Sequence, residues 1–393
     1  MNRPKFRLDV QLTPFQHQNE YGYILRDALN ESRVLFINEG AALLIPFLDG
    51  NHTLEEIKEI LEKRTGQMVQ KQEIEKLVKL FEDNLFLDTP AYHQHLENVY
   101  KSYKNGASRP PLMAGNGYPA REEELKQYLD TIFNEAILID DFHLPERLKG
   151  FVVPHIDIER GKKNYATIFS LIRQFPHAQT YVILGVNHHY FSNNPFISTN
   201  KAYETPLGKL EIDCELLEKL QNNLNWNILD GEIAHKGEHS IEIPSLFLNY
   251  IYPQQKIKIL PILCNFQDKS DARIDALISG LRYYLSDLTE SCCLIASVDF
   301  SHIGPQFGWN QPVKEADAAE VREKDLKTLQ FLANGEADSF YFHIIQDGNK
   351  RHIDALGAGY VFSRVLSGVK GQLVRYDQAF NPANTVTFAS LLF

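Results

Sequence analysis

The chain has 393 residues, 44% hydrophobic and 23% charged, which suits two to three domains with sizeable cores and excludes disorder as the main theme. Lys and Arg number 40 against 51 Asp and Glu, and a net charge of −11 repels phosphate backbones, so nucleic acid is excluded as the principal ligand. No apolar run approaches the roughly 20 residues that span a bilayer, and the N-terminus carries no signal-peptide core, so a cytoplasmic protein without membrane contact is expected.

Phe6–Leu12 and Tyr21–Arg26 read as extended segments. Residues 38–48 read as a helix stopped by Gly50. Thr53 followed by Glu56 is a capping box that opens a helix over 54–65. A helix over 71–84 places Ile74, Leu77, Val78 and Phe81 on one face. Strands followed by three short helices predict a small α+β, winged-helix-like domain over residues 1–95. That piece holds 11 basic and 15 acidic residues, which disfavours DNA and leaves a peptide, a partner protein or a purely structural cap. The turn formers Lys-Asn-Gly-Ala-Ser-Arg-Pro-Pro at 104–111 predict a linker over 96–108.

From 109 to 393, strand-like runs at 150–153, 180–185, 256–264, 292–298, 372–377 and 385–392 alternate with amphipathic stretches at 164–174, 216–224, 272–285 and 318–332. This alternation predicts an α/β fold with a largely parallel central sheet flanked by helices. Cys214, Cys264, Cys292 and Cys293 have no zinc or iron–sulfur spacing and read as filler in a reducing compartment.

The histidines gather at strand ends. Phe151-Val152-Val153 leads to His155, Tyr181 to Gly185 leads to His188 and His189, and Leu294 to Val298 leads to Asp299 and His302. In open α/β sheets the ligand crevice lies outside the carboxyl ends of the strands, so these loops predict a shared site. Gly237-Glu238-His239-Ser240-Ile241-Glu242 adds a fourth element. On a helix it would set Glu238 and Glu242 on one face, and an ordinary N-terminal turn with Glu238 favoured by the macrodipole is its plainer reading.

Pro154-His155, Ile183-Leu184-Gly185-Val186-Asn187-His188-His189, Glu204-Thr205-Pro206-Leu207-Gly208, Glu238-His239-Ser240-Ile241-Glu242, Leu260-Pro261-Ile262-Leu263 and Ser297-Val298-Asp299-Phe300-Ser301-His302 together resemble the Memo-like proteins. Ala114-Gly115-Asn116-Gly117-Tyr118-Pro119-Ala120 is similar to the opening segment of that family. The resemblance spans about 280 residues in order. It implies the fold of class III extradiol dioxygenases, which are non-haem iron enzymes, and a place as the B component of the AmmeMemoRadiSam system beside a radical-SAM protein. Residues 38–57, Asn-Glu-Gly-Ala to Leu-Asp-Gly-Asn-His-Thr-Leu-Glu-Glu-Ile, resemble the PqqD-like peptide-recognition modules.

The Memo-like resemblance implies a metal pocket with His155 and His188 as ligands and a third ligand, commonly cysteine, at the position of Asp354; His352 is the alternative. Two histidines and a carboxylate with open positions match the facial triad of Fe(II) chemistry, with zinc or copper as other occupants. Cu(I) is disfavoured by the hard carboxylate. His302 and His239 are then candidates for general acid–base work, and Asp299 for orienting a histidine or a bound water. His189 reads as support, and residues 205–208 as a turn shaping the pocket wall. Where the family has Ala-Gly-Tyr after the first histidine, this chain has Ile156-Asp157-Ile158-Glu159-Arg160-Gly161, charges that suit either a polar substrate or a solvated helix start. Gly117 stands where an aromatic residue is expected. The chain lacks a Gly-x-Ser-x-Gly elbow, a complete dinucleotide loop at Gly357-Ala358-Gly359 and a radical-SAM cysteine triplet. Two functions follow as expectations: a metal-dependent oxidoreductase or dioxygenase acting on a small polar or aromatic molecule, and a non-catalytic metal-binding scaffold that docks a peptide or a radical-SAM partner. A zinc hydrolase is a minor third.

Overall fold

The computed structural model describes residues 2–17, 20–27, 29, 34–136, 144–188, 192–253, 255–266, 268–287 and 291–393. The first of two compact units runs to Gly106. In it β1 (Val10–His17), β2 (Glu20–Asp27) and β3 (Val34–Asn38) form an antiparallel sheet in that order. Asn38 caps α1 (Glu39–Ala42) by accepting from the Ala41 amide at 2.8 Å. Beyond it the predicted helix tightens to a 3₁₀ turn at Ile45–Phe47, where Pro46 supplies no amide hydrogen. Both arms of the Thr53–Glu56 capping box are present at the start of α2 (Leu54–Thr65), and Gly66, at φ 68°, ends it. Next, α3 (Lys71–Asp83) buries Ile74, Val78 and Phe81. These pack with Leu25, Ile37, Leu44 and Ile57 in a core of the unit's own.

The predicted linker needs correction over most of its length. Residues 90–105 form α4 (Pro90–Asn105), capped by Thr89 and opened by a proline at its first position. The turn formers take effect only from Gly106.

The second unit contains β4 (Ser108–Arg109), α5 (Glu122–Phe133), β5 (Gly150–Val153), α6 (Ile158–Ile172), β6 (Thr180–Val186), β7 (Phe196–Ser198), β8 (Ala202–Thr205), β9 (Gly208–Ile212), α7 (Cys214–Asn222) and α8 (Glu242–Ile251). It continues with β10 (Lys258–Cys264), α9 (Ala272–Asp287), β11 (Cys292–Ser297), β12 (His302–Ile303), α10 (Glu315–Ala333), α11 (Ala337–Ile345), α12 (Ala355–Val365), β13 (Gln372–Ala379) and β14 (Thr385–Leu392). Among the described residues these strands make an 11-stranded sheet along the path β12-β14-β5-β11-β6-β10-β9-β8-β4, with β13 on β14 and β7 on β10.

The sheet is mixed α/β rather than uniformly parallel. Its centre, β5-β11-β6-β10, is parallel, and its strands are apolar and buried, as strands covered on both faces must be. On one flank β14 runs antiparallel to β5, β12 and β13; on the other, β9 is parallel to β10 and β4 to β8, while β7 on β10 and β8 on β9 are antiparallel. β13 and β14 are joined by residues 380–384, too short for a crossover, so they pair as a hairpin. No helix among the described residues is long and apolar enough to cross a membrane.

Candidate metal centre

Because β5, β11 and β6 are neighbours in register, their carboxyl ends stand side by side, each about 4.8 Å from the next. His155 lies two residues past β5, His188 two past β6 and Asp299 two past β11, while His302 opens β12. Asp354 stands at the N-terminal end of α12, with the Ala355 amide donating to the Asp299 carbonyl at 3.2 Å. Residues almost 200 positions apart therefore meet at one end of the sheet.

They meet on a single atom. Asp354 Oδ2 lies 3.1 Å from His155 Nε2, 3.6 Å from His188 Nε2 and 4.0 Å from His302 Nε2. Its other oxygen accepts from the Asp299 amide at 2.8 Å, which turns Oδ2 toward the rings. Each of the three rings has its Nδ1 committed elsewhere. His155 Nδ1–H donates to the Ser297 carbonyl at 3.0 Å, and His188 Nδ1 sits 3.0 Å from both oxygens of Glu238. His302 Nδ1 lies 3.1 Å from the carbonyls of Phe300 and His352. Carbonyl oxygens only accept, so His302 carries its proton on Nδ1 and keeps a lone pair on Nε2 whenever it is neutral.

Glu238 holds the other side. Fully buried, it accepts from the amides of His188, His239 and Ser240 at 3.0, 2.8 and 2.9 Å, and its Oε1 lies 3.3 Å from His239 Nδ1. The His239 ring stacks on His188 with centroids 5.0 Å apart and meets His155 edge-on at 5.3 Å. Asp299 accepts from the His155 amide at 3.1 Å, and its Oδ2 is 3.9 Å from His155 Nε2.

Burial and charge pull in opposite directions here. Burial works against charge on His155 and His188, yet Asp354 and Asp299 raise the first, and Glu238 and Asp354 raise the second well above an ordinary imidazole. Burial alone would lift the carboxyls of Asp354 and Glu238. The surrounding imidazoles outweigh it and hold both well below the usual range. Asp299 is shifted up, by burial first, and His239 down, because burial and its cationic neighbours exceed the pull of Glu238.

Two groups of ligand atoms within 4.8 Å of one another stand out among the described residues: His155, His188 and His239, and His155, Asp299 and Asp354. The donors fit a divalent ion. With ligand bonds of about 2.0–2.2 Å, neighbouring ligand atoms of a tetrahedral or octahedral ion sit about 3–3.6 Å apart, the spacing that Asp354 Oδ2 keeps from His155 and His188. Nδ1–H donation to a carbonyl and to a carboxylate is also the support that metal-binding imidazoles usually receive. His155 is closed off at 2% side-chain exposure, whereas His188 and His302 retain 23% and 19%, so one side of the cluster is open. Asp354 also borders a cleft of about 680 Å³, lined by Trp309, Asn349, Lys350 and His352.

All six residues singled out for metal or proton chemistry are thus gathered in one place. His352 is not among the converging atoms: its side chain is exposed, and its carbonyl, at φ 47°, serves His302. His189 lies outside the described residues. Asp157 caps α6 through the Arg160 amide at 3.0 Å and pairs with the Arg160 side chain, and Glu159 pairs with Lys162, so these charges build a helix start. Residues 205–208 close the β8–β9 hairpin. Sequence reading missed the role of Glu238. Helix α8 begins only at Glu242, and Glu238 precedes it in extended backbone with its carboxylate turned inward. Ile241, Ile243, Pro244, Leu246, Phe247 and Leu248 leave the helix no broad polar face, which marks it as buried all round with its leading carboxylates.

Residues 109–390 match the model of the Memo family, described as "Memo-like protein". A MEMO1 family protein of Aquifex aeolicus (strain VF5) is 27% identical over 397 residues, spanning 100% of both chains and so taking in the N-terminal unit as well. MEMO1 family proteins of Thermus thermophilus and Methanosarcina mazei are 29% and 30% identical, over 73% and 68% of this chain and 82% and 91% of their own. The family match covers well over half of the sequence and every residue of the pocket: the chain belongs to the Memo-like family.

Proposed function

We propose that His155, His188 and Asp354 hold a divalent metal ion, Fe(II) in first place and zinc or copper otherwise, and that the protein is a metal-dependent oxidoreductase for a small polar or aromatic molecule. The observation that carries this reading is the convergence of two imidazole Nε2 atoms on Asp354 Oδ2 at 3.1 and 3.6 Å. An ion held by two histidines and one carboxylate supplies Lewis acidity and, as Fe(II), electrons, with positions left for a substrate. The residues around it supply the rest. Ser297 and Glu238 fix the ring orientations of His155 and His188. His302, with its lone pair on Nε2, accepts a proton from a substrate, and the Asp299 carboxylate orients His155 through its backbone amide. His239 serves as a second proton carrier on the Glu238 side. The cleft beside Asp354 gives a substrate the Trp309 ring to lie against and the Lys350 ammonium to pair with.

Metal analysis of protein purified without oxygen tests the reading. About one iron per chain, lost in both Asp354→Ala and His188→Ala, is expected, and O₂ uptake with catechol-like compounds is then the next assay. Substoichiometric metal that neither substitution changes overturns it.

A different observation favours a second activity, docking of a peptide or of a partner such as a radical-SAM protein. Beside β3, the edge strand of its sheet, lies a groove of about 820 Å³ lined by Phe36, Leu43, Leu44, Leu77 and Leu80. An edge strand beside an apolar groove suits an extended peptide, whose backbone joins the strand while its side chains fill the groove. Peptides selected from a display library on the full chain should bind with micromolar affinity, unchanged by metal removal and lost in Leu77→Glu. Loss of binding on metal removal would place that surface elsewhere.

A further inference from the structure

We infer that Asp325 and Arg351, whose side chains pair with each other away from the converging ligand atoms, form a buried positioning pair that sets where His302 and Asp354 stand. Asp325 projects from the middle of α10, and its carboxylate is fully buried. One oxygen accepts from Ser301 Oγ and from Arg351 Nη1, both at 2.6 Å, and the other accepts from Thr387 Oγ1 at 2.6 Å and the Tyr376 hydroxyl at 3.0 Å. A carboxylate with four donors is fully satisfied, and a buried charge is kept only on such terms. Two of those donors flank the site, Ser301 next to His302 and Arg351 three residues before Asp354.

The segment between Arg351 and Asp354 shows what the anchor does. Three non-glycine residues among the described ones have positive φ, and two of them are Asn349 at 52° and His352 at 47°. Left-handed backbone at such residues persists only where the surroundings over-determine it. Here the Asn349 side chain accepts from the Ile353 amide at 2.9 Å and donates to its carbonyl at 3.1 Å, while the His352 amide donates to the Asn349 carbonyl at 2.8 Å. Arg351 is the one side chain in this loop that reaches a buried charge. From the loop so held, the Arg351 carbonyl accepts from the His302 amide at 2.7 Å, the His352 carbonyl accepts from His302 Nδ1, and Asp354 enters α12 with Oδ2 toward the rings. His302 is thereby gripped at two points by the loop that carries Asp354, and the pair fixes both partners of that 4.0 Å approach.

This inference rests on the metal reading only for what Asp354 binds; the grip on His302 stands without it. The test compares Arg351→Met and Asp325→Asn with Tyr376→Phe, which removes a donor to the same carboxylate on the side away from the loop. Three readouts are taken on each full-length variant: thermal unfolding, Co(II) affinity with the visible spectrum of bound Co(II), and the ¹⁵N signature of the His302 tautomer in protein without metal. Tyr376→Phe should lose thermal stability and keep the other two. Arg351→Met and Asp325→Asn should weaken Co(II) at least tenfold, change its spectrum and lose the single Nδ1–H tautomer. Folded Arg351→Met with Co(II) affinity within twofold, an unchanged spectrum and an intact tautomer overturns the inference. If Co(II) binding by the wild type proves indifferent to His188→Ala, the metal reading fails, and the His302 tautomer alone decides this one. Should Arg351→Met not fold, Arg351→Lys and Ser301→Ala carry the same readouts.

Discussion

His155 Nε2 and Asp354 Oδ2 stand 3.1 Å apart although 199 positions separate them in sequence. The contact puts a hard oxygen beside two imidazoles, and donor hardness is what selects among divalent metals once the geometry is given. Asp354→Cys exchanges that oxygen for a soft sulfur at the same helix end. Competitive loading with equal Fe(II) and Zn(II) should then shift toward zinc by about tenfold or more, and Cu(I) should become a strong occupant. Unchanged selectivity would mean that Asp354 does not contribute a ligand.

Metal uptake should compete with protons. The carboxylate neighbours of His155 and His188 hold both rings' protons to higher pH than an ordinary imidazole, so an ion has to displace protons that are held more firmly. Apparent affinity therefore rises with pH and levels off once both rings are neutral. In weak buffer, Zn(II) loading should release protons, and His188→Ala should release fewer than the wild type. Loading without proton release would contradict the arrangement.

Glu238 is tested through what it accepts. Three backbone amides and the His188 ring point at its carboxylate, and Glu238→Gln turns an NH₂ toward at least one of these donors. A loss of about 1–3 kcal/mol in stability is expected by urea unfolding, together with metal binding about 10–100-fold weaker. The pH dependence has a definite sign. With its folded-state pKa depressed by His188 and His239, Glu238 contributes stability that is present above the usual glutamate range and lost as pH falls. The variant should show a shallower acid limb than the wild type.

These residues differ in how visible they are from sequence, for physical reasons. Residues 150–153, 180–186 and 292–297 are legible because a strand covered on both faces has to be an unbroken apolar run, and a histidine or aspartate ending such a run has few places to go but the crevice. The order β5-β11-β6, which makes those ends neighbours, is not legible, since parallel pairing leaves no local mark. Asp354 has no spacing of its own and emerges only from resemblance. Antiparallel pairing of β13 with β14 was readable from the five-residue connection between them. Asp325 was readable too. It shares the α10 stripe with Ala318, Val321, Thr328, Leu329 and Leu332, and a carboxylate on a core-facing stripe signals a buried network.

Arg109, at the edge of the predicted linker, forms a buried pair with Glu242 of the element that carries Glu238 and His239. Arg109 is fully buried. It pairs with Glu242 and donates to the carbonyls of His235 at 2.8 Å and Glu238 at 2.6 Å. Glu242 in turn accepts from the amides of Leu112 and Met113 at 2.7 and 2.9 Å and from the Tyr118 hydroxyl. One guanidinium thus joins the segment at 109–118 to the backbone of the residue that grips His188. Removing either partner strands the other charge in the interior, a loss of about 3–5 kcal/mol. Arg109→Met should lower the urea midpoint accordingly and weaken metal binding as well, because the Glu238 carbonyl loses its anchor. Arg109→Met combined with Glu242→Leu removes both buried charges, so urea unfolding should show the double variant less destabilised than Arg109→Met alone, while its metal affinity stays low. Strictly additive losses would show instead that each side chain matters only through its backbone contacts.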